Sequence, residues 1–215
     1  MTDQIRVAIA GYGNLGRGVE AALAQNPDME LFCVFSRRDP ANVTLLDRKV
    51  PVYAMADVEQ YQDEVDVMIL CGGSKTDLPK QGPYLTQFFN TVDSFDTHAK
   101  VNEHFAALDD AAQMSGNIAL LAVGRDPGLM SLNRLFGETI LPEGKTDTGT
   151  QSKQIIECSL ALGSNLEFTA SALVAYSRAV YRLARSGEIG AKTVFDVAPG
   201  SLSPKSPSQL RKELL

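Results

Sequence analysis

Ile5-Arg6-Val7-Ala8-Ile9-Ala10-Gly11-Tyr12-Gly13-Asn14-Leu15-Gly16 decides the fold. An apolar run of strand length meets a Gly-rich turn. It then passes into a pattern with Leu15, Val19 and Leu23 at four-residue spacing, one buried face of a helix. The first Gly permits a sharp turn, the second lets backbone approach a pyrophosphate, and the third lets helix and strand pack closely. The helix N-terminus adds unpaired N–H groups and a partial positive charge. Such a Gly pattern is weak evidence alone, and a purely structural turn is the plain alternative. Between a strand and a helix it predicts a dinucleotide site built from Gly11, Tyr12, Gly13, Asn14, Leu15 and Gly16.

Working outward, strand and helix signals alternate. Strands are read at 5–10, 29–35, 50–54, 65–71, 90–94 and 117–123, and helices at 14–25, 57–62, 78–89, 99–115 and 128–141. The runs Val65 to Leu70 and Ile118 to Val123 are nearly continuously apolar, as in strands buried on both faces of a parallel sheet. The alternation predicts an α/β protein with a doubly wound, mostly parallel sheet.

The second strand ends in Ser36-Arg37-Arg38. An acidic residue in this region would accept from a ribose 2′-hydroxyl, whereas a permanently charged, bidentate guanidinium suits a 2′-phosphate. The expected cofactor is therefore NADP(H) rather than NAD(H). Two solvated arginines are the bland reading, and Asp39 is placed to pair with either.

Bulk composition narrows the class. The 215 residues are 44% hydrophobic and 21% charged, the profile of an ordinary soluble globular protein. A net charge of −6 argues against a nucleic-acid partner. No apolar run reaches about 18 residues, so no membrane span is expected. The start of the chain does not read as a signal peptide. Cys33, Cys71 and Cys158 are an odd, widely spaced set, read as reduced thiols in a cytoplasmic protein. No Cys/His spacing suggests a metal site.

After Leu141 the pattern changes. Pro142 to Thr150 is polar and aperiodic, hence a loop. Ile156, Cys158, Leu160 and Leu162 then alternate with Glu157, Ser159 and Ala161, an amphipathic strand without neighbours in sequence. Such a strand must pair or remain an exposed edge, which predicts self-association. Thr169 opens a long helix to about Arg185, with a stripe of Leu173, Tyr176, Val180 and Leu183, and with Gly187 just beyond it. A last strand is read at 193–197.

In an open α/β sheet, ligands bind beyond the carboxyl ends of the strands. Those ends carry Cys71-Gly72-Gly73-Ser74, Ser94-Phe95-Asp96 and Gly124-Arg125-Asp126-Pro127. Asp96 and Asp126 are thus expected near the nicotinamide end, where an acidic pair can bind a substrate ammonium. Each has an alternative as a helix cap. His98 and His104 read as surface or capping residues, Asp109 and Asp110 as a solvated helix face, and Tyr176 and Tyr181 as core packing.

These segments together resemble the meso-diaminopimelate dehydrogenase family, NADP-dependent enzymes of lysine and cell-wall precursor synthesis. The likeness runs through Gly11 to Arg17, Phe35 to Arg38, Thr91 to His98, Asp126 to Arg134, Phe168 to Leu173 and Val197 to Pro199. It implies oxidation at the D-configured centre of an amino-acid substrate to an imine, which water converts to a 2-oxo acid and ammonia. It also implies cofactor contacts from Tyr12 to Leu15, Ser36 to Arg38, Cys71 to Ser74, Ser94 to Asp96 and Val123 to Pro127. Asp96 and Asp126 would serve the D-centre, catalytically and in binding, and Asn165 the distal L-centre. The family's assembly would be a homodimer.

Two departures stand out. The family usually has Trp before the Asp-Pro-Gly, and here Arg125 stands there. The family also has a sizeable second domain where this chain has only the loop from Pro142 to Thr150. The expected organisation is a dinucleotide-binding domain over 1–141, a loop and remnant strand of a truncated substrate domain over 142–168, and a helix, strand and tail over 169–215 returning to the first domain.

Overall fold

The computed structural model describes residues 4–140 and 159–215. Seven strands form one sheet: β1 (Ile5–Ala10), β2 (Met29–Ser36), β3 (Val52–Ala54), β4 (Val67–Leu70), β5 (Thr91–Asp93), β6 (Ile118–Leu120) and β7 (Gly190–Lys192). Every neighbouring pair is parallel and the order is β3-β2-β1-β4-β5-β6-β7. The chain winds outward from β1 to β3, then restarts at β4 on the other side of β1. That reversal leaves a crevice between the carboxyl ends of β1 and β4.

Side-chain alternation places a layer on each face. Val7, Ile9, Val67 and Ile69 pack toward α1 (Asn14–Leu23) and α5 (Asn165–Arg185), while Ala8, Ala10, Met68 and Leu70 pack toward α2 (Leu78–Thr86). On the second face α3 (Val101–Ser115) covers β6 through Leu108 and Ala112. The remaining α-helices among the described residues are α4 (Met130–Ile140) and α6 (Pro207–Leu214).

Helix α5 is buried on more than one side, with Leu173, Val174, Ala179 and Val180 all inaccessible. It lies close enough to α1 that a Cβ on Gly18 would meet the Ala170 Cβ at 3.0 Å. Arg178, also buried, donates to Asp28 at 2.6 and 2.8 Å, to Asn26 at 2.8 Å and to the Leu202 carbonyl at 2.7 Å. One guanidinium thereby fastens the returning helix to both the β2 approach and the C-terminal tail.

Several expectations need correction. Helix α5 begins four residues before Thr169, because the Ser164 hydroxyl accepts from the Glu167 N–H and caps it. The last strand is Gly190–Lys192, not 193–197. Thr193 and Asp196 instead form a capping box around a 3-10 turn at Val194–Asp196, a local alternative to sheet pairing. Asp109 does not simply face water: it accepts from the Ala191 N–H at 2.8 Å and so holds α3 against β7. The segment read as a helix at 57–62 is a 3-10 run over Met55–Tyr61. The loop from Pro142 to Thr150, Cys158 and the first part of the amphipathic strand lie outside the described residues. Its described end, from Ser159 to Ser164, is not strand.

Candidate active site

The turn between β1 and α1 is built as its glycines require. Gly11 adopts φ +96°, which a side chain would strain. At Gly16 a Cβ would stand 2.5 Å from the Gly11 carbonyl oxygen, so only Gly lets the helix start this close to the turn. Gly13 is the N-cap and faces open space. With Asn14 opening α1, the free N–H groups there make a helix terminus of the kind suited to an anion. Tyr12 offers only its backbone: its side chain is buried and its hydroxyl donates to Glu20. Burial and that carboxylate push the phenol up to about 12. Leu15 packs half-buried against the core.

A cleft of about 290 Å³ opens over this turn, lined by Gly11 to Gly13, Ser36 to Arg38, Cys71, Gly72, Asp77 and Gln81. The three sequence motifs at the ends of β1, β2 and β4 therefore meet in one place. The Arg38 guanidinium donates to the Tyr12 carbonyl, and the Arg38 backbone N–H donates to the Ser36 hydroxyl at 3.0 Å. Arg37 is exposed and pairs with Asp77, not with Asp39, through bonds of 2.8 and 3.0 Å. Asp39 caps the short turn that follows, accepting from the Ala41 N–H at 3.0 Å. Arg37 and the Gly73 N–H together hold the Asp77 carboxyl below the usual carboxylate range. Gln81 Oε1 is buried in this wall with no hydrogen-bond partner among the described residues, an acceptor suited to a ligand N–H or O–H. An NADP(H) molecule fits this donor and acceptor set: helix N–H groups for the pyrophosphate, two guanidiniums for a 2′-phosphate and a free amide oxygen.

The ends of β4, β5 and β6 are stitched together. The Asp96 N–H donates to the Ser74 hydroxyl at 2.9 Å, and that hydroxyl lies 3.3 Å from the Thr97 hydroxyl. Buried Asp93 joins the next pair of loops, because its Oδ1 accepts from Phe95 at 2.9 Å and from Ala122 at 3.1 Å. Its Oδ2 lies 2.7 Å from His104 Nε2. His104 is therefore a buried partner, not a surface or capping residue, and its ring stacks on Phe95 at 4.2 Å. Asp93 thus sets the spacing between the loop bearing Asp96 and the loop bearing Asp126. A carboxylate inside the apolar run Thr91-Val92-Asp93 was the signal for it.

Asp96 and Asp126 are both exposed beyond neighbouring strands, and neither side chain caps a helix. Asp126 instead pairs with Arg134 at 2.7 and 3.4 Å. That guanidinium, hydrogen-bonded to it, keeps the carboxyl below the ordinary range, with smaller contributions from His98 and Arg125. Arg125, the departure from the family pattern, is exposed, as is His98. Asp126, Pro127 and Gly128 have non-helical backbone angles, with φ +128° at Gly128, so α4 starts only at Met130. The start of α5 arrives at the same edge: a Cβ on Gly124 would meet Thr169 at 3.7 Å. Asn165 lies one helical turn earlier and is exposed. Among the cofactor candidates, Val123 and Phe95 are buried, so only their backbone is available. Burial raises the Cys71 thiol well above its ordinary value.

A parallel sheet that reverses beside a Gly-rich turn, with two arginines at the end of its second strand, defines a Rossmann-type dinucleotide-binding protein. Known proteins make the class specific. Meso-diaminopimelate D-dehydrogenase of Lysinibacillus sphaericus is 40% identical over 324 aligned positions, covering 98% of this chain and 99% of that protein. The chain belongs to the meso-diaminopimelate dehydrogenase family. A Clostridium tetani meso-DAPDH variant, solved with DAP, superposes with a TM-score of 0.90 at 34% identity and covers 99% of this chain and 100% of that one. An engineered D-amino acid dehydrogenase bound to NADP⁺ superposes at 0.84 with 29% identity, covering 99% and 100%. No protein-family model matches the chain. The 324 aligned positions exceed the 215 residues present, so roughly a third of the alignment has no counterpart here.

Proposed function

We propose that this chain carries the cofactor site and the D-centre site of an NADP-dependent meso-diaminopimelate D-dehydrogenase. The reaction is the reversible oxidative deamination of meso-2,6-diaminopimelate at its D-centre, yielding a 2-oxo acid and ammonia. The observation that carries this reading is the placement of Arg37 and Arg38 over the Gly-rich turn, in a chain 40% identical to a dehydrogenase of that name.

When bound, NADP⁺ supplies the acceptor for the hydride from the substrate α-carbon. The chain's residues bind and orient. Gly11 to Gly16 cradle the pyrophosphate, and Ser36 to Arg38 select the 2′-phosphate. Residues from the ends of β4, β5 and β6 line the nicotinamide side. Asp96 and Asp126 hold the D-centre ammonium, and Asn165 reaches toward the L-centre. Arg134 is hydrogen-bonded to Asp126 and holds its carboxyl below the ordinary range, so Asp126 meets the ammonium as a negative charge.

The interval 142–150 stands, in this reading, where relatives carry a second domain, so the division at 141 and 168 marks its borders. The third of the alignment without a counterpart favours a second reading, an NADP(H)-binding chain without turnover. Orientation by a complete substrate site can supply on the order of 7–11 kcal/mol. Incubating folded protein with saturating NADP⁺ and meso-diaminopimelate at alkaline pH separates the two. Reduction of the nicotinamide supports the dehydrogenase. Tight NADPH binding without reduction supports the binding chain.

A further inference from the structure

We propose that Asp77 is a specificity-determining residue of the cofactor site: its carboxylate is the internal counter-ion of Arg37 and competes with a 2′-phosphate for that guanidinium. This rests on the NADP(H) reading of the cleft.

The geometry follows from the sheet order. β1 lies between β2 and β4, so Arg37 beyond β2 and Asp77 beyond β4 stand on opposite sides of the Gly-rich turn. Their bridge spans the cleft that both residues line. It uses both terminal nitrogens of Arg37, Nη1 to Oδ1 at 2.8 Å and Nη2 to Oδ2 at 3.0 Å. That parallel pair of N–H groups is the fork with which Arg grips a planar carboxylate or a phosphate. Asp77 is anchored in turn, because its Oδ2 accepts from the Gly73 N–H at 2.9 Å.

A 2′-phosphate arriving at Arg37 must share or displace this carboxylate, and two anions at contact distance repel. NADH carries no 2′-phosphate and meets no such competition. Asp77 therefore lowers the preference for NADP(H) over NAD(H) below what the two arginines alone would set. A side chain that only shaped the loop would alter both cofactors alike.

The test is a pair of fluorescence titrations, NADPH and NADH, on the full chain. The proteins are wild type, Asp77→Asn and Asp77→Ser, each with Arg37 intact and with Arg37→Ala. Serine keeps a side-chain oxygen for the Gly73 N–H and carries the test if the asparagine variant does not fold. Expected is NADPH binding about 2–5-fold tighter in the Asp77 variants, the range of an exposed ion pair. NADH affinity should stay unchanged or weaken, and the NADPH gain should vanish in the Arg37→Ala background. Unchanged or weaker NADPH binding in a folded Asp77 variant overturns the proposal, as does an equal gain without Arg37. Wild-type protein that fails to bind NADPH overturns the cofactor reading itself, and this proposal with it.

Discussion

Arg134 holds the carboxylate of Asp126 with both terminal nitrogens, at 2.7 and 3.4 Å. The carboxylate assigned to the substrate ammonium is thus already paired with a cation from the first turns of α4. Arg134→Met should raise the Asp126 pKa toward the ordinary carboxylate range, because its largest cause of depression is gone. A pH titration of the Asp126 carboxyl by NMR checks this. An unmoved titration would mean that the pair does not persist in solution.

The glycines of the first turn should separate folding from binding. Gly16→Ala places a Cβ against the Gly11 carbonyl oxygen and should cost about 1–3 kcal/mol of stability. Gly13→Ala meets nothing within 4 Å, so its stability should stay within about 0.5 kcal/mol of wild type. Its NADPH affinity should nevertheless fall about tenfold, because the added methyl occupies the pyrophosphate approach. Urea melts beside NADPH titrations check both. Equal binding in Gly13→Ala would contradict the phosphate role.

Arg178→Met should destabilise the protein by about 2–4 kcal/mol, since it strands Asp28, Asn26 and the Leu202 carbonyl. Asp28 carries the pH dependence. Arg178 lowers its pKa, chiefly by hydrogen bonding and against the opposing effect of burial. A depressed folded-state pKa stabilises fully above the unfolded value and is lost as pH falls through the folded one. The gap between wild type and Arg178→Met should therefore be constant from pH 7 to about 5 and shrink in stronger acid. Urea denaturation across that range measures it, and a gap that widens in acid would refute the pairing.

Asp93→Ala should cost about 3–5 kcal/mol, because two buried N–H groups and the His104 ring lose their acceptor. Thermal or urea melts check the value. A loss below about 1 kcal/mol would mean that the loops after β5 and β6 are not held through this carboxylate.

Much of this was legible in the chain because it is written in local chemistry. The run Ile5 to Gly16 is a strand, a turn and a helix whatever surrounds it, and Ser36-Arg37-Arg38 declares its charge without a structure. Elements whose identity rests on distant partners were harder to read. Gly190–Lys192 is a strand because it finds β6, and nothing in those three residues distinguishes them from loop. Ser164 caps α5 where Thr169 looked as suitable. His104 looked like a surface residue until Asp93 and Phe95, both brought by β5, enclosed it. Asp77 carries no motif of its own and Arg134 only closes the stretch from Asp126, and their importance lies in the guanidinium or carboxylate that the fold sets opposite them.

The most direct measurement is the affinity of the folded protein for NADPH and for NADH, with and without Arg37→Ala and Arg38→Ala together. Expected is tighter binding of NADPH in wild type, and a loss of about 10–100-fold in the double variant, confined to NADPH. Equal affinity for the two cofactors in wild type, or equal losses for both in the variant, would contradict the assignment of this cleft to NADP(H).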